Sequence, residues 1–125
     1  MQHDFRTSGV SVIMLGVSNL EHSLAFYRDK LGLAVKMQLA ELALLTAGPI
    51  TLGLAPALGR ANPQKAGATE IVFAVENVRA AHAALLEKSV TLVREPTQIT
   101  PTDWAAHFRD PDGHLFSVVG PEGQP

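Results

Sequence analysis

The chain repeats itself. After a shift of 58 positions, Ile13, Val17, Asn19, Ala25, Lys30 and Val35 recur as Ile71, Val75, Asn77, Ala83, Lys88 and Val93, without a gap. A repeat of this length means that one supersecondary unit is built twice, and this constrains the architecture before any other feature is read. The unit itself follows from hydrophobic periodicity. Residues 10–17 are an apolar, β-rich run suited to a strand buried on both faces. The S-x-x-E of Ser18 and Glu21 then predicts a capping box. Leu20, Leu24, Tyr27 and Leu31 form one helical stripe, which Gly32 ends as a left-handed stop. Short strands are expected at 33–38, 41–47 and 50–54, with Gly48-Pro49 as a turn. In the second copy, residues 69–75 form the strand and Asn77 caps the helix. Val78, His82 and Leu85 take the stripe positions, and strands follow at 90–94, 104–108 and 114–119. The order is β-α-β-β-β, twice.

This pattern predicts an α+β fold in one domain spanning residues 1–125, with a first module at about 10–54 and a second at about 68–120. Between them, residues 55–67 (APALGRANPQKAG) are rich in Gly, Pro and Ala and read as a linker loop. A chain of 125 residues is long enough to bury about two thirds of its unfolded surface. The net charge of −2 offers no basic footprint for nucleic acid and no polybasic face for anionic lipid. No apolar run approaches the ~20 residues of a membrane span, and the first ten residues lack the pattern of a signal peptide. With no cysteine there is no disulfide framework, no thiolate metal site and no cysteine nucleophile. A cytoplasmic protein is the expectation. No phosphate-cradling glycine loop or nucleophile elbow is present.

Two stretches carry a family resemblance. VSNLEHSLAFYRDKLGL (17–33) is similar to the first module of vicinal oxygen chelate proteins, and FRDPDGHLFSVV (108–119) resembles their closing hairpin. This superfamily contains glyoxalases, bleomycin resistance proteins and extradiol dioxygenases. The D-P-D-G turn alone has a local cause: Pro111 presets φ, and Gly113 accepts a positive φ. Both motifs at this separation, with the repeat between them, are much more specific, and the resemblance covers about residues 10–120. It implies two βαβββ modules forming a half-open curved mixed β-sheet, the glyoxalase/bleomycin-resistance fold, with helices outside. It also implies a groove for a small molecule and, frequently, a homodimer, with modules paired within one chain or between two.

Strand alternation sorts the faces. Ile13, Leu15 and Val17, with Ile71, Phe73 and Val75, suit the helix-packed side. The groove side then receives Val12, Met14, Thr51, Gly53, Glu70, Val72, Leu115 and Ser117. In metal-using relatives four inward positions carry His, Gln or Glu ligands, and the resemblance maps these onto Val12, Gly53, Glu70 and Ser117. Valine and glycine offer no donor, and a serine hydroxyl is a poor ligand. The expectation is therefore no metal site and no cofactor.

Glu70 is either a groove carboxylate that anchors a ligand, with weak candidacy as a catalytic base, or a rim carboxylate paired with an arginine. Trp104 is either a flat wall of the groove or a packing residue. His107 lies in the row opposite Trp104 and Phe108, so only one of those rows looks inward; it is either an acid/base in the groove or an exposed or structurally hydrogen-bonded histidine. His114 reads as structural, His82 as a satisfied half-buried residue, and Arg60 and Lys65 as solvated loop residues; His3 and His22 earn no role. Ser117 has no histidine in its own strand row, which argues against a hydrolase.

The leading expectation is a small-molecule binding protein without the family metal. It would hold an organic ligand between Trp104, Met14, Val72 and Leu115, with Glu70 as the polar anchor, in a groove that a homodimer would complete. The alternatives are a metal-dependent lyase or ring-cleaving dioxygenase with an atypical site (Glu70, His107 and a carboxylate such as Glu41), and an interaction module without a small ligand.

Overall fold

The computed structural model describes residues 5–61 and 69–125. The elements run β1 (Val12–Gly16), α1 (Leu20–Leu24) with a π-helical continuation (Ala25–Lys30), β2 (Ala34–Leu39), β3 (Leu42–Ala47), β4 (Ile50–Ala55) and α2 (Pro56–Ala61). The second copy runs β5 (Glu70–Ala74), α3 (Val78–Glu87), β6 (Thr91–Gln98), β7 (Trp104–Arg109) and β8 (Leu115–Gly120). Each module makes one open four-stranded mixed sheet, in the orders β1-β4-β3-β2 and β5-β8-β7-β6. In both, the first strand pairs parallel with the last, and the remaining pairs are antiparallel. The repeat in the sequence is thus a repeat in topology.

The repeat-equivalent helices α1 and α3 each begin on an asparagine. The side chain of Asn19 accepts from the His22 amide, and that of Asn77 accepts from Ala80. The expected capping box on Ser18 is not formed. The Ser18 amide instead donates to Asp112 Oδ1 at 2.8 Å, and Glu21 faces Gln38. The first helix then widens: Leu31 N donates to Phe26 O, five residues back, before Gly32 turns the chain at φ 77°. Two consecutive aromatics of this widened segment, Phe26 and Tyr27, are both buried in the core.

A single apolar core joins the modules. Leu15, Leu45, Leu52 and Leu54 from the first sheet meet Phe108, Phe116 and Val118 from the second, with Leu24, Phe26, Tyr27, Val78 and Leu85 of the helices packed among them. Each fully buried leucine contributes ~2 kcal/mol or more relative to exposure. The Phe26 and Phe116 rings meet edge to face, with centroids 5.7 Å apart. Helices thus cover one face of each sheet and leave the other open. β1 is accordingly buried on one face only, with Leu15 buried and Met14 exposed on the open face.

Two local expectations fail for identifiable reasons. Residues 56–61 are helical rather than looped: Pro56 occupies the first position, where no amide hydrogen is needed. The rest of the expected linker, from residue 62, lies outside the described residues. β6 continues past Glu95-Pro96 to Gln98, because it is an edge strand with register shifts around Arg94–Thr97, and such a strand tolerates a missing donor.

Candidate ligand-binding site

The open face of the second sheet is built by register. Ser117 on β8 lies opposite Val72 on β5 and His107 on β7, and Leu115 lies opposite Glu70 and Arg109. Because side chains alternate, Glu70, Val72, His107, Leu115 and Ser117 share this face. Glu70 and His107 stand on the two strands that flank β8. Their side chains meet over it, Nε2 of His107 lying 3.0 Å from Oε2 of Glu70. Ser117 sits beneath the pair and is 1% exposed. Its Oγ and the Nδ1 of His107 are both buried without a hydrogen-bond partner. An unmade bond of this kind costs ~1–3 kcal/mol, and two of them at facing register positions mark a polar floor that the chain itself leaves unsatisfied. When Nε2–H donates to Glu70, a neutral His107 presents Nδ1 as an acceptor beside the Ser117 hydroxyl.

The open face of the first sheet is more apolar. Val12 lies opposite Thr51, and Met14 opposite Gly53, with Leu44 beyond. The Met14 thioether occupies the space above Gly53, where an added Cβ would collide with the sulfur. Lys36, at the bulge of β2, donates to Thr51 Oγ1 at 3.4 Å; the alternation pattern did not flag it, because a bulge resets parity. Met14, Met37 and Val72 are 41%, 48% and 56% exposed, so both open faces are uncovered in the single chain. Among the described residues no hydrogen bond or ion pair joins the two faces.

Structure thus gathers Glu70, Val72, His107, Leu115 and Ser117 on one face, and Val12, Met14, Thr51 and Gly53 on the other sheet. Trp104 belongs to neither. It lies opposite Gly120 on the helix-packed side, with the Arg79 guanidinium of α3 5.1 Å from its ring centroid. The row of His107 looks onto the open face, and the row of Trp104 and Phe108 therefore cannot. His82 is half-buried against Phe108, as its stripe position suggests, but its Nε2 has no hydrogen-bond partner, so it is not satisfied. Arg60 pairs with Glu41 at 3.5 Å on the surface. His3 and Lys65 lie outside the described residues.

The D-P-D-G turn does structural work that sequence reading did not foresee. Asp110 accepts from the Tyr27 hydroxyl at 2.6 Å and from the amides of Asp112 and His114. Asp112 accepts from the Ser18 amide and the Ser23 hydroxyl. His114 Nε2 donates to Gly16 O at 2.8 Å. The closing turn of the second module is thereby fastened to the first strand and helix of the first. Burial, reinforced by the adjacent Asp110 carboxylate, pushes the Tyr27 hydroxyl far above the usual phenol range.

A catalytic divalent-ion site holds about three protein ligands. Of the positions to which the family's ligands map, only Glu70 carries one, and its nearest added donor, His107, is already bonded to it. Among the described residues no group of three or more His, Asp or Glu side chains stands close enough to hold a metal.

Residues 9–118 match the model of the Glyoxalase/Bleomycin resistance protein/Dioxygenase superfamily. No curated protein matches the chain significantly. Among solved structures, a glyoxalase/bleomycin resistance protein/dioxygenase from Nocardioides aligns with TM-score 0.77 and 18% identity, covering 98% of this chain and 90% of its own. A glyoxalase-related enzyme from Fulvimarina pelagi aligns with TM-score 0.76 and 21% identity over 90% and 88% of the two chains. Lactoylglutathione lyase from Agrobacterium tumefaciens aligns with TM-score 0.74 and 18% identity over 90% and 93%. At these identities the likeness is one of fold.

Proposed function

Because the chain belongs to the Glyoxalase/Bleomycin resistance protein/Dioxygenase superfamily, we propose that it binds a small organic molecule on the open face of the second sheet without the family's metal. The observation that carries this reading is the Glu70–His107 pair, 3.0 Å apart above a buried, unpartnered Ser117 hydroxyl. Glu70 is the polar anchor, and His107 fixes its orientation. Val72 and Leu115 supply apolar walls, in the usual pattern of a pocket with few placed polar groups. A ligand hydroxyl or amine that donates to Glu70 fits this arrangement. In our reading a second copy of the chain covers the face with the apolar surface of its own first sheet, around Met14 and Val12, making a homodimer. The exposed Met14 and Met37 favour this, since apolar surface left uncovered in one chain gains from burial against another.

A second reading rests on the same pair. One imidazole and one carboxylate are two of the three ligands that a lyase or dioxygenase metal needs, and a carboxylate from elsewhere would complete the set. In the single chain Glu41 does not do so, being paired with Arg60.

The test is an amide and methyl NMR titration with a panel of hydroxylated and amine-bearing aromatic compounds. Trp104 faces the helices, so its fluorescence is a poor reporter. Saturable shifts at Val72, Leu115 and Ser117 that Glu70→Gln weakens at least tenfold support the proposal. Saturable binding that ignores Glu70→Gln, or a panel without a hit at these positions, counts against it.

A further inference from the structure

On the opposite side of β5 from Glu70 lies a cleft of about 370 Å³ at the junction of the modules. Its walls are Leu31 and Leu33 after the first helix, Phe73 of β5 and Val75 just beyond it, and Ala81 and Leu85 of α3. Apart from Lys30 and Lys88, every residue that lines it is apolar. These two lysines are repeat equivalents, brought to one mouth by the duplication. Lys88 Nζ donates to the Lys30 carbonyl at 3.4 Å, which holds it at the rim. Among the described residues neither ammonium takes part in an ion pair. No carboxylate lines the cleft.

We propose that this cleft is a second binding site, for an amphipathic carboxylate: an unbranched medium-chain acid whose tail lies between Phe73 and Leu85 and whose head group is held by Lys30 and Lys88. The sign of the ligand follows from its surroundings. Two like charges at one rim repel, and an anion between them relieves the repulsion. The apolar walls account for the tail, since its transfer from water is favourable by ~0.8 kcal/mol per buried CH₂. The site is separate from the open face because successive residues of β5 point to opposite sides: Glu70 and Val72 to one, Ile71 and Phe73 to the other. It does not depend on what the Glu70–His107 pair binds.

The experiment is an NMR titration of the full chain with decanoate, beside decanol and decyltrimethylammonium as neutral and cationic controls. Decanoate is expected to shift the signals of Phe73, Ala81, Ala84 and Leu85 and to bind more tightly than either control. The double variant Lys30→Ala/Lys88→Ala, confirmed folded by its dispersed spectrum, is expected to weaken decanoate about fivefold for each lysine removed, as exposed charge contacts imply. Ala84→Trp, which fills the cleft from an exposed helix position, is expected to abolish binding, and Glu70→Gln to leave it unchanged. Equal affinity for decanoate and decanol, no loss in the lysine variant, or shifts confined to Val72, Leu115 and Ser117 would overturn the proposal.

Discussion

The Tyr27 hydroxyl donates to Oδ2 of Asp110 across 2.6 Å, and both groups are buried. The two residues stand in different modules, so this bond ties the first helix to the turn that closes the second sheet. Tyr27→Phe removes the donor and leaves a buried carboxylate oxygen unpaired. A loss of ~1–3 kcal/mol in unfolding free energy is expected, measured by urea denaturation. A loss below the error of that experiment would mean that the bond does not fasten the modules.

The same hydroxyl is expected to set the alkaline limit of stability. Its folded pKa is raised above the unfolded value, first by burial and then by Asp110. The neutral form is therefore the one the fold favours. This contribution is fully present below about pH 10, the unfolded value, and declines as pH rises beyond it, by up to ~1.4 kcal/mol per pH unit. Tyr27 is the only tyrosine, so an ultraviolet phenolate titration reads it alone. Its ionisation should coincide with unfolding; a reversible titration near pH 10 in the folded protein would contradict this.

The two helix caps should be matched in energy. Asn19→Ala and Asn77→Ala each remove a side-chain acceptor from a first-turn amide, at a cost of ~1 kcal/mol. Ser18→Ala should change thermal stability by less than ~0.5 kcal/mol, because only the Ser18 amide is engaged. Calorimetry on the three variants separates this assignment from a capping box on Ser18.

Much of the architecture could be read from the duplication. Ile13 and Ile71, or Asn19 and Asn77, mark equivalent places in two βαβββ units, and the structure bears out their order; the pairing of first strand with last comes from the structure alone. The Ser18 assignment failed although the repeat itself held the correction: asparagine recurs and serine does not. What stayed hidden was set by register and by distant contacts. Ser117 meets His107 only through the antiparallel pairing of β7 with β8, and no pattern within either strand contains that alignment. Parity alone left the rows of His107 and Trp104 equivalent, and Arg79 and the aromatic core decide which row turns to the helices. Asp110 read as a turn former because its local role is sufficient; its bond to Tyr27 spans the whole fold.

Ser117 should show a conflict between stability and binding. Ser117→Ala removes a buried hydroxyl that has no partner, so stability is expected to be unchanged or to rise by up to ~1 kcal/mol. In the NMR titration the same variant should weaken the open-face ligand. Destabilisation by more than ~1 kcal/mol would show that the hydroxyl is bonded in solution and is not reserved for a ligand.

Metal content tests the central claim most directly. Protein purified without chelators should carry far less than one equivalent of manganese, iron, nickel or zinc per chain, and chelator treatment should leave its thermal midpoint unchanged. One tightly held equivalent that disappears in both Glu70→Gln and His107→Gln would contradict the account.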